Sequence, residues 1–233
     1  MLIIFSTAYF LAWLIVFIFG TGLQRYCQAF VAERLGDSSP RNKGRLTLNP
    51  MAHHDPLGLF FAFILSLETP VVVGGSSVPG SGPTVIAWGK PLELNTFRLR
   101  GGRLARSLVA LVGPLVFLLL AFLIWLATQN YIKGSNGSDF LAQFFTSLIF
   151  VSLTLCAFNL IPIPPMDGYE VLKGFLPAQW EPRLLWLEKY GMLIIIVLTL
   201  VVPWILRINI LMDFYVRPLT SALGSLLGIG LNF

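Results

Sequence analysis

Four stretches of this chain carry no charge over lengths that reach across a lipid bilayer, and nothing else constrains its fold as tightly. They are Leu2–Phe19, Ser107–Ile132, Phe140–Met166 and Tyr190–Leu206. A helix needs roughly 20 apolar residues to cross a hydrocarbon core about 30 Å thick. Within lipid, only helices and closed barrels satisfy their own backbone polar groups. The last run is at the lower length limit and is extended by Trp186 and Leu187. The pattern predicts an all-α polytopic membrane protein with four firm transmembrane helices. Composition closes off a soluble fold: charged residues are 12% of the 233, and mean hydropathy is +0.78. The 19 Phe and 6 Trp exceed what one core of this size hides from water. Met1 leads straight into apolar sequence with no basic segment and no small-residue cleavage site, so the first run reads as a retained helix rather than a cleavable signal.

The basic residues set the expected topology, because cytoplasmic loops carry the excess of Lys and Arg. Ten of the 16 lie between Arg25 and Arg106, whereas the loop from Gln129 to Asp139 holds only Lys133. The N-terminus and the 129–139 loop are therefore placed outside and the 25–106 region in the cytoplasm. Lys173, Arg183 and Lys189 mark the next inside loop. The stretch Pro56–Val73, apolar over Leu57–Leu67, has cations on both flanks and so crosses the membrane twice or not at all. A re-entrant or interfacial hairpin is the expectation, and a fifth or sixth span stays open. The tail Val216–Phe233, with Pro218, three glycines and 16 uncharged residues after Arg217, reads as an amphipathic or partner-packed helix. Gly44–Pro50 and Lys90–Asn95 alternate like short strands, which predicts a small β element at the membrane face.

Three separated blocks share one resemblance. Leu35-Gly36-Asp37 precedes Gly44-Arg45-Leu46-Thr47-Leu48-Asn49-Pro50 and His53-His54-Asp55-Pro56-Leu57-Gly58. Trp88-Gly89-Lys90-Pro91, Asn95 and Leu108–Leu115 with Gly113-Pro114 form the second block. Asn159-Leu160-Ile161-Pro162-Ile163-Pro164-Pro165-Met166-Asp167-Gly168 is the third. In this order they resemble the site-2-protease-like intramembrane zinc metalloproteases, over about residues 15–175. The resemblance implies a single membrane domain over residues 1–233, with the core in 1–175 and C-terminal helices in 176–233. It also implies that Asp167 stands where the family has a zinc ligand.

The chemistry departs from that family. Its first core helix carries His-Glu-x-x-His, with two imidazoles at i and i+4 to bind zinc and a glutamate as general base. The residues at that place here are Gln24-Arg25-Tyr26-Cys27-Gln28. A neutral carboxamide is a poor zinc ligand beside imidazole or thiolate, and a guanidinium cannot accept a proton from water. The middle block usually has an Asn a few residues after Gly-Pro; here that place is Phe117. The resemblance thus implies zinc lost, no metal site and no catalytic residue, with Gln24, Arg25 and Gln28 degenerate positions and Asp167 retained. Two readings of Asp167 stay open. In one it pairs with Arg25, which takes the space of the metal and base. In the other it caps the helix that starts at Gly168-Tyr169 while Arg25 snorkels to the interface.

His53 and His54, the only histidines, are weak candidates for a relocated metal site with Asp55 and Asp167, or for ligating a haem or pigment. Loop histidines that are hydrogen-bonded or solvated are the default. Cys27 and Cys156 sit in apolar contexts and read as separate thiols. Gly74–Pro83 lacks the Gly-Lys-Ser/Thr of a phosphate loop, and Arg98, Arg100, Arg103 and Arg106 face anionic headgroups rather than nucleic acid. The leading expectation is an inactive relative of the proteases, an integral protein of a prokaryotic plasma membrane or an internal membrane. It would serve as a structural or accessory subunit, with lipids and the transmembrane helices of other subunits as partners. No cofactor is expected, and a bound lipid or pigment stays open. The alternatives are an intramembrane protease with an altered metal site, and a regulator that sequesters single-pass membrane proteins.

Overall fold

The computed structural model describes residues 2–54, 59, 72–73, 76–77, 90, 92–136, 139–206 and 208–229. Four of its helices are long and apolar enough to cross a membrane: Thr7–Arg34, Gly102–Gly134, Phe140–Asn159 and Pro182–Leu206. These are the four spans read from the charges. The first is α1 (Leu2–Ile15) and α2 (Thr21–Arg34), joined without a break by a π turn at Val16–Gly20. A four-residue helix α3 (Ser39–Asn42) follows. The second span, α4 (Gly102–Gly134), opens at Gly101 and Gly102, whose φ of +104° and +57° only glycine adopts cheaply. The third, α5 (Phe140–Asn159), is capped by Asp139, whose side chain accepts from the N–H of Leu141 at 3.0 Å. It stops at Asn159 rather than continuing to Met166, because Pro162, Pro164 and Pro165 each lack the N–H that another helical turn requires.

Beyond this stop come α6 (Asp167–Phe175), α7 (Glu181–Ile196), a π turn at Val197–Val201 and α8 (Val202–Leu206). A last π turn at Met212–Val216 leads into α9 (Arg217–Leu226). α9 continues that π turn without a break; the helix they form over residues 210–226 is not among the four long and apolar enough to cross a membrane, and it lays Thr220 and Gly224 inward. Among the described residues, which end at Ile229, the tail is a helix packed on α5.

Lipid removes most of the hydrophobic drive between spans, so close packing has to hold them. α1 packs on α5 and α2 on α4, while α4 holds both α5 and α6. Fully buried small residues, Ala8 and Ala12 on α1, Ala121 on α4 and Ala157 on α5, suit that close approach. Trp13, Phe17, Phe117, Leu155 and Phe158 fill the centre, with the Trp13 and Phe17 rings stacked at 5.2 Å. Phe117 lies against Gly20, where a Cβ would come within 3.0 Å of its ring. The last span is peripheral, with Leu193, Trp204, Ile205 and Leu206 all exposed.

One expectation needs correcting. Neither Gly44–Pro50 nor, among its described residues, Lys90–Asn95 forms a strand. Proline and Asx-turn chemistry takes over the first: Asn49 accepts from Met51 N at 3.1 Å and starts a short 3₁₀ turn at Pro50–Ala52. The second is tied to the rest by single bonds, from Lys90 N to His53 O at 2.8 Å, from Asn95 N to Asp37 Oδ2 at 2.7 Å and between the side chains of Lys43 and Glu93. The β element is instead a two-residue antiparallel pair, β1 (Val72–Val73) with β2 (Ser76–Ser77). Apart from Leu59 and this pair's first strand, the expected hairpin at Pro56–Val73 lies outside the described residues.

Candidate functional site

α2 places Gln24 and Gln28 four residues apart and hence on one helical face, with Arg25 beside them. The proline run after α5 reverses the chain so that α6 begins with Asp167 against that face. Gly168 makes the approach possible, because any Cβ there would collide with the backbone carbonyl of Leu160. Ser107 of α4 holds the middle of α6, donating toward the carbonyls of Glu170 and Val171 at 3.2 and 3.1 Å.

α4 completes the site through Gly113-Pro114. Pro114 has no N–H, so the carbonyl four residues earlier, that of Ala110, loses its helical partner. Gln28 Nε2 donates to that carbonyl at 3.3 Å. Gly113 leaves room for the polar groups: a Cβ there would collide with Asp167 Oδ2 and lie 2.6 and 2.7 Å from the Gln28 and Gln24 nitrogens. Gly113→Ala is therefore expected to dislodge the Gln24 and Gln28 contacts to Asp167 and to destabilise the chain by about 1–3 kcal/mol. Thermal unfolding in detergent checks this; an unchanged midpoint would show that the cluster is looser than these distances say.

Four side chains converge. Gln24 Nε2 donates to Asp167 Oδ2 at 2.6 Å and Gln28 Nε2 to the same oxygen at 3.0 Å. Arg25 Nη1 donates to Gln28 Oε1 at 2.9 Å and lies 3.3 Å from Asp167 Oδ1. Asn159 stands behind, its Oδ1 3.4 Å from Gln24 Nε2 and its own amide donating to Leu155 O. The Arg25 and Asp167 side chains are only 11% and 7% exposed, so Arg25 is not snorkelling. Asp167 opens α6 but makes no side-chain capping bond there. Burial pushes its carboxyl above the ordinary value, while Arg25 and the carboxamides of Gln28 and Gln24 pull against that shift.

This donor set does not fit zinc. Zinc takes imidazole, thiolate or carboxylate, and here Asp167 is ringed by two amide nitrogens that point hydrogens at it and by a guanidinium that would repel a dication. Among the described residues, no three His, Cys, Asp or Glu side chains gather closely enough to hold a metal.

A cavity of about 660 Å³ opens beside the cluster. Its charged lining is paired: Arg25 with Asp167, Arg106 with Glu170 through two bonds of 2.6 and 2.8 Å, and Lys173 with Glu188. Tyr169 OH donates to Glu188 at 2.9 Å, and burial, with Glu188 beside it, raises the phenol above its ordinary value. Sequence reasoning missed the Arg106–Glu170 pair and the Ala110 carbonyl. The second was signalled by a proline inside a predicted span.

The histidines are built into the frame. His53 Nε2 meets Thr47 O at 2.7 Å, and His54 Nε2 meets Ile18 O in the first π turn at 2.9 Å. A carbonyl only accepts, so each Nε2 carries the hydrogen. Burial lowers both rings' values, which keeps them neutral. Neither lines the cavity, and Asp55, their proposed companion, is outside the described residues. Gly36, at φ +106°, turns the chain against Arg98 O, and buried Asp37 accepts from the N–H groups of Ser39 at 2.9 Å and Asn95 at 2.7 Å. Burial pushes the Asp37 carboxyl up, but these bonds and the Arg98 charge outweigh it and leave a net lowering. Asp37 thus ties the first sequence block to the second.

Membrane helices that bring α2, the Gly-Pro of α4 and the Asp after α5 to one buried point define the scaffold class of an intramembrane metalloprotease. Comparison with known proteins agrees. The chain is 32% identical over 184 residues to "Putative zinc metalloprotease YwhC" of Bacillus subtilis, covering 76% of this chain and 74% of that one. It is 32% identical over 181 residues to "Putative zinc metalloprotease Rip2" of Mycobacterium tuberculosis, and 31% over 179 residues to the Rip2 of Mycolicibacterium smegmatis. The matches span 62% and 61% of the Rip2 chains. No family model and no solved structure matches. The chain belongs to the site-2-protease-like family.

Proposed function

We propose that this chain is a catalytically inactive member of the site-2-protease-like family, retained as a structural or accessory subunit that binds transmembrane helices of partner subunits. One observation carries the reading: Arg25, at the place of the family's general base, is bonded to Gln28 and Asp167, at the places of two zinc ligands. A guanidinium supplies no proton acceptor, and the cluster satisfies Asp167 with hydrogen bonds rather than a metal. What remains is a membrane scaffold with a cleft, whose peripheral last span exposes Leu193, Trp204 and Ile205 to lipid or to neighbouring helices. Residues 25–106 are assigned to the cytoplasmic side on their charge.

The relatives named as metalloproteases favour a second reading, a hydrolase with an altered metal site. Metal analysis together with purification in mild detergent separates the two. The accessory subunit is expected to carry no stoichiometric zinc and to elute with a membrane partner at fixed ratio through successive columns. Stoichiometric zinc that disappears on Asp167→Asn would overturn the first reading.

A further inference from the structure

The outer face of α4 measures the bilayer. Leu104, Leu108, Leu115, Leu119, Leu123 and Leu126 are each at least 50% exposed, and their spacings of three, four and seven residues set them on one helical stripe. From Leu104 to Leu126 the helix runs about 33 Å, close to the thickness of a hydrocarbon core, about 30 Å. Leu104 therefore marks one edge of that core, and the residues just before α4 lie at the headgroup layer. A turn closes there, with Arg98 N donating to Asn95 O at 3.0 Å. It leans on the end of α2: Arg100 N donates to Leu35 O at 2.7 Å and Arg98 Nη1 to Ser38 Oγ at 3.4 Å.

This corner has an apolar tip and a positive rim. Leu99 is buried among Ala32, Ala105 and Val109 and so anchors the turn, while Phe97 stands fully exposed. Arg98 and Arg100 flank Phe97 on the exposed surface, and Arg34, also exposed, reaches over the Phe30 ring at 4.8 Å. The carboxylates nearby are engaged elsewhere. Glu33 pairs with Arg41 at 2.6 Å and Glu93 with Lys43. Asp37 is buried, accepts from the N–H groups of Ser39 and Asn95, and balances at most one of the three charges. Arg106, close in sequence, turns away to Glu170.

We propose that this corner binds an anionic phospholipid, with the guanidinium groups of Arg98 and Arg100 on its phosphate, Arg34 adding charge and Phe97 seated among the acyl chains. A guanidinium holds a phosphate through two parallel hydrogen bonds. Phe97 commits the surface to a lipid. A dissolved phosphate satisfies the arginines and leaves the ring in water, whereas a lipid offers its headgroup to the first and its chains to the second. The proposal holds whether the chain is an accessory subunit or a hydrolase.

The test is native mass spectrometry of the full chain in dodecyl maltoside, titrated with phosphatidylglycerol or with phosphatidylcholine of the same acyl chains. Both lipids carry a phosphate, and only the first is a net anion. Phosphatidylglycerol is expected to bind about 25-fold tighter, about fivefold for each of the two positive charges that Asp37 leaves unbalanced. In Arg98→Gln/Arg100→Gln that ratio is expected to fall to near unity. Arg183→Gln/Lys189→Gln, which removes two cations that rest on the Trp180 and Tyr190 rings, is expected to keep it and so separates this corner from net charge. Phe97→Ser is expected to weaken both lipids together by about tenfold and to leave the ratio alone. Equal binding of the two lipids by the native chain, a ratio that survives in Arg98→Gln/Arg100→Gln, or one that falls as far in Arg183→Gln/Lys189→Gln overturns the proposal. So does phosphatidylglycerol binding that Phe97→Ser leaves unchanged, or that glycerol phosphate displaces at equal concentration, since either describes a site for free phosphate.

Discussion

The triple substitution Gln24→His, Arg25→Glu, Gln28→His is expected to turn zinc content from background to about one ion per chain. Three conditions for a zinc site are already met by the backbone. The two glutamines lie at i and i+4 on α2, their terminal nitrogens are 2.6 and 3.0 Å from one oxygen of Asp167, and Gly113 leaves space where a side chain would intrude. Ligands around a tetrahedral zinc lie about 3.3 Å apart, given metal–ligand distances near 2.0–2.1 Å, so the ligand at position 24 has to draw back from Asp167 by about 0.7 Å and that at position 28 by about 0.3 Å. An imidazole has nearly the reach of the carboxamide it replaces.

The charge is as important as the ligands. With Arg25 kept, Gln24→His/Gln28→His is expected to stay zinc-poor, because the guanidinium 3.3 Å from Asp167 already occupies the carboxylate and repels a dication. Metal analysis after dialysis reads the result. A second readout is thermal: a ligand that binds only the folded state stabilises it, by about 2.7 kcal/mol at a hundred times its dissociation constant. A triple variant that folds and takes up no zinc would show that α2 and α6 do not meet in the geometry of a metal site.

The membrane spans were legible because charge is so rare in this chain that each uncharged run stands out, and four helices followed. Their ends were less legible. Hydropathy carries the third run to Met166, but proline chemistry ends the helix at Asn159, and the reversal that follows is what delivers Asp167. The strands expected at Gly44–Pro50 and Lys90–Asn95 failed for a related reason: alternation over six or seven residues is a weak signal, and Asn49-Pro50 imposes its own turn. At the site, the family resemblance aligned Gln24, Arg25, Gln28 and Asp167 with the metal-site positions but left open whether Arg25 pairs with Asp167 or snorkels away, which the structure answers with the pair at 3.3 Å. The bond from Gln28 to the Ala110 carbonyl was not, since it depends on how Pro114 frees a backbone group and on which helix then faces it.

Arg25→Met alone is expected to destabilise the folded chain by about 3–5 kcal/mol at neutral pH, the usual cost of leaving one member of a buried ion pair without its partner. The two carboxamides that remain donate to Asp167 but carry no charge to balance it. Arg25→Met/Asp167→Asn is expected to recover most of the loss, because an amide in place of the carboxylate removes the uncompensated charge and the single effects do not add. The loss in the single variant also depends on pH. Burial already pushes the Asp167 carboxyl upward, and without the opposing guanidinium it rises further, so the folded chain binds a proton that the unfolded chain has released. Stability is then highest below the ordinary carboxylate range and falls as pH rises through the raised folded-state value. Thermal unfolding of the native chain, the single variant and the double variant across acid to neutral pH measures all three effects. A single variant as stable as the native chain at neutral pH would mean that water reaches Asp167, and that Arg25 neither replaces a metal charge nor stays shielded in the cleft.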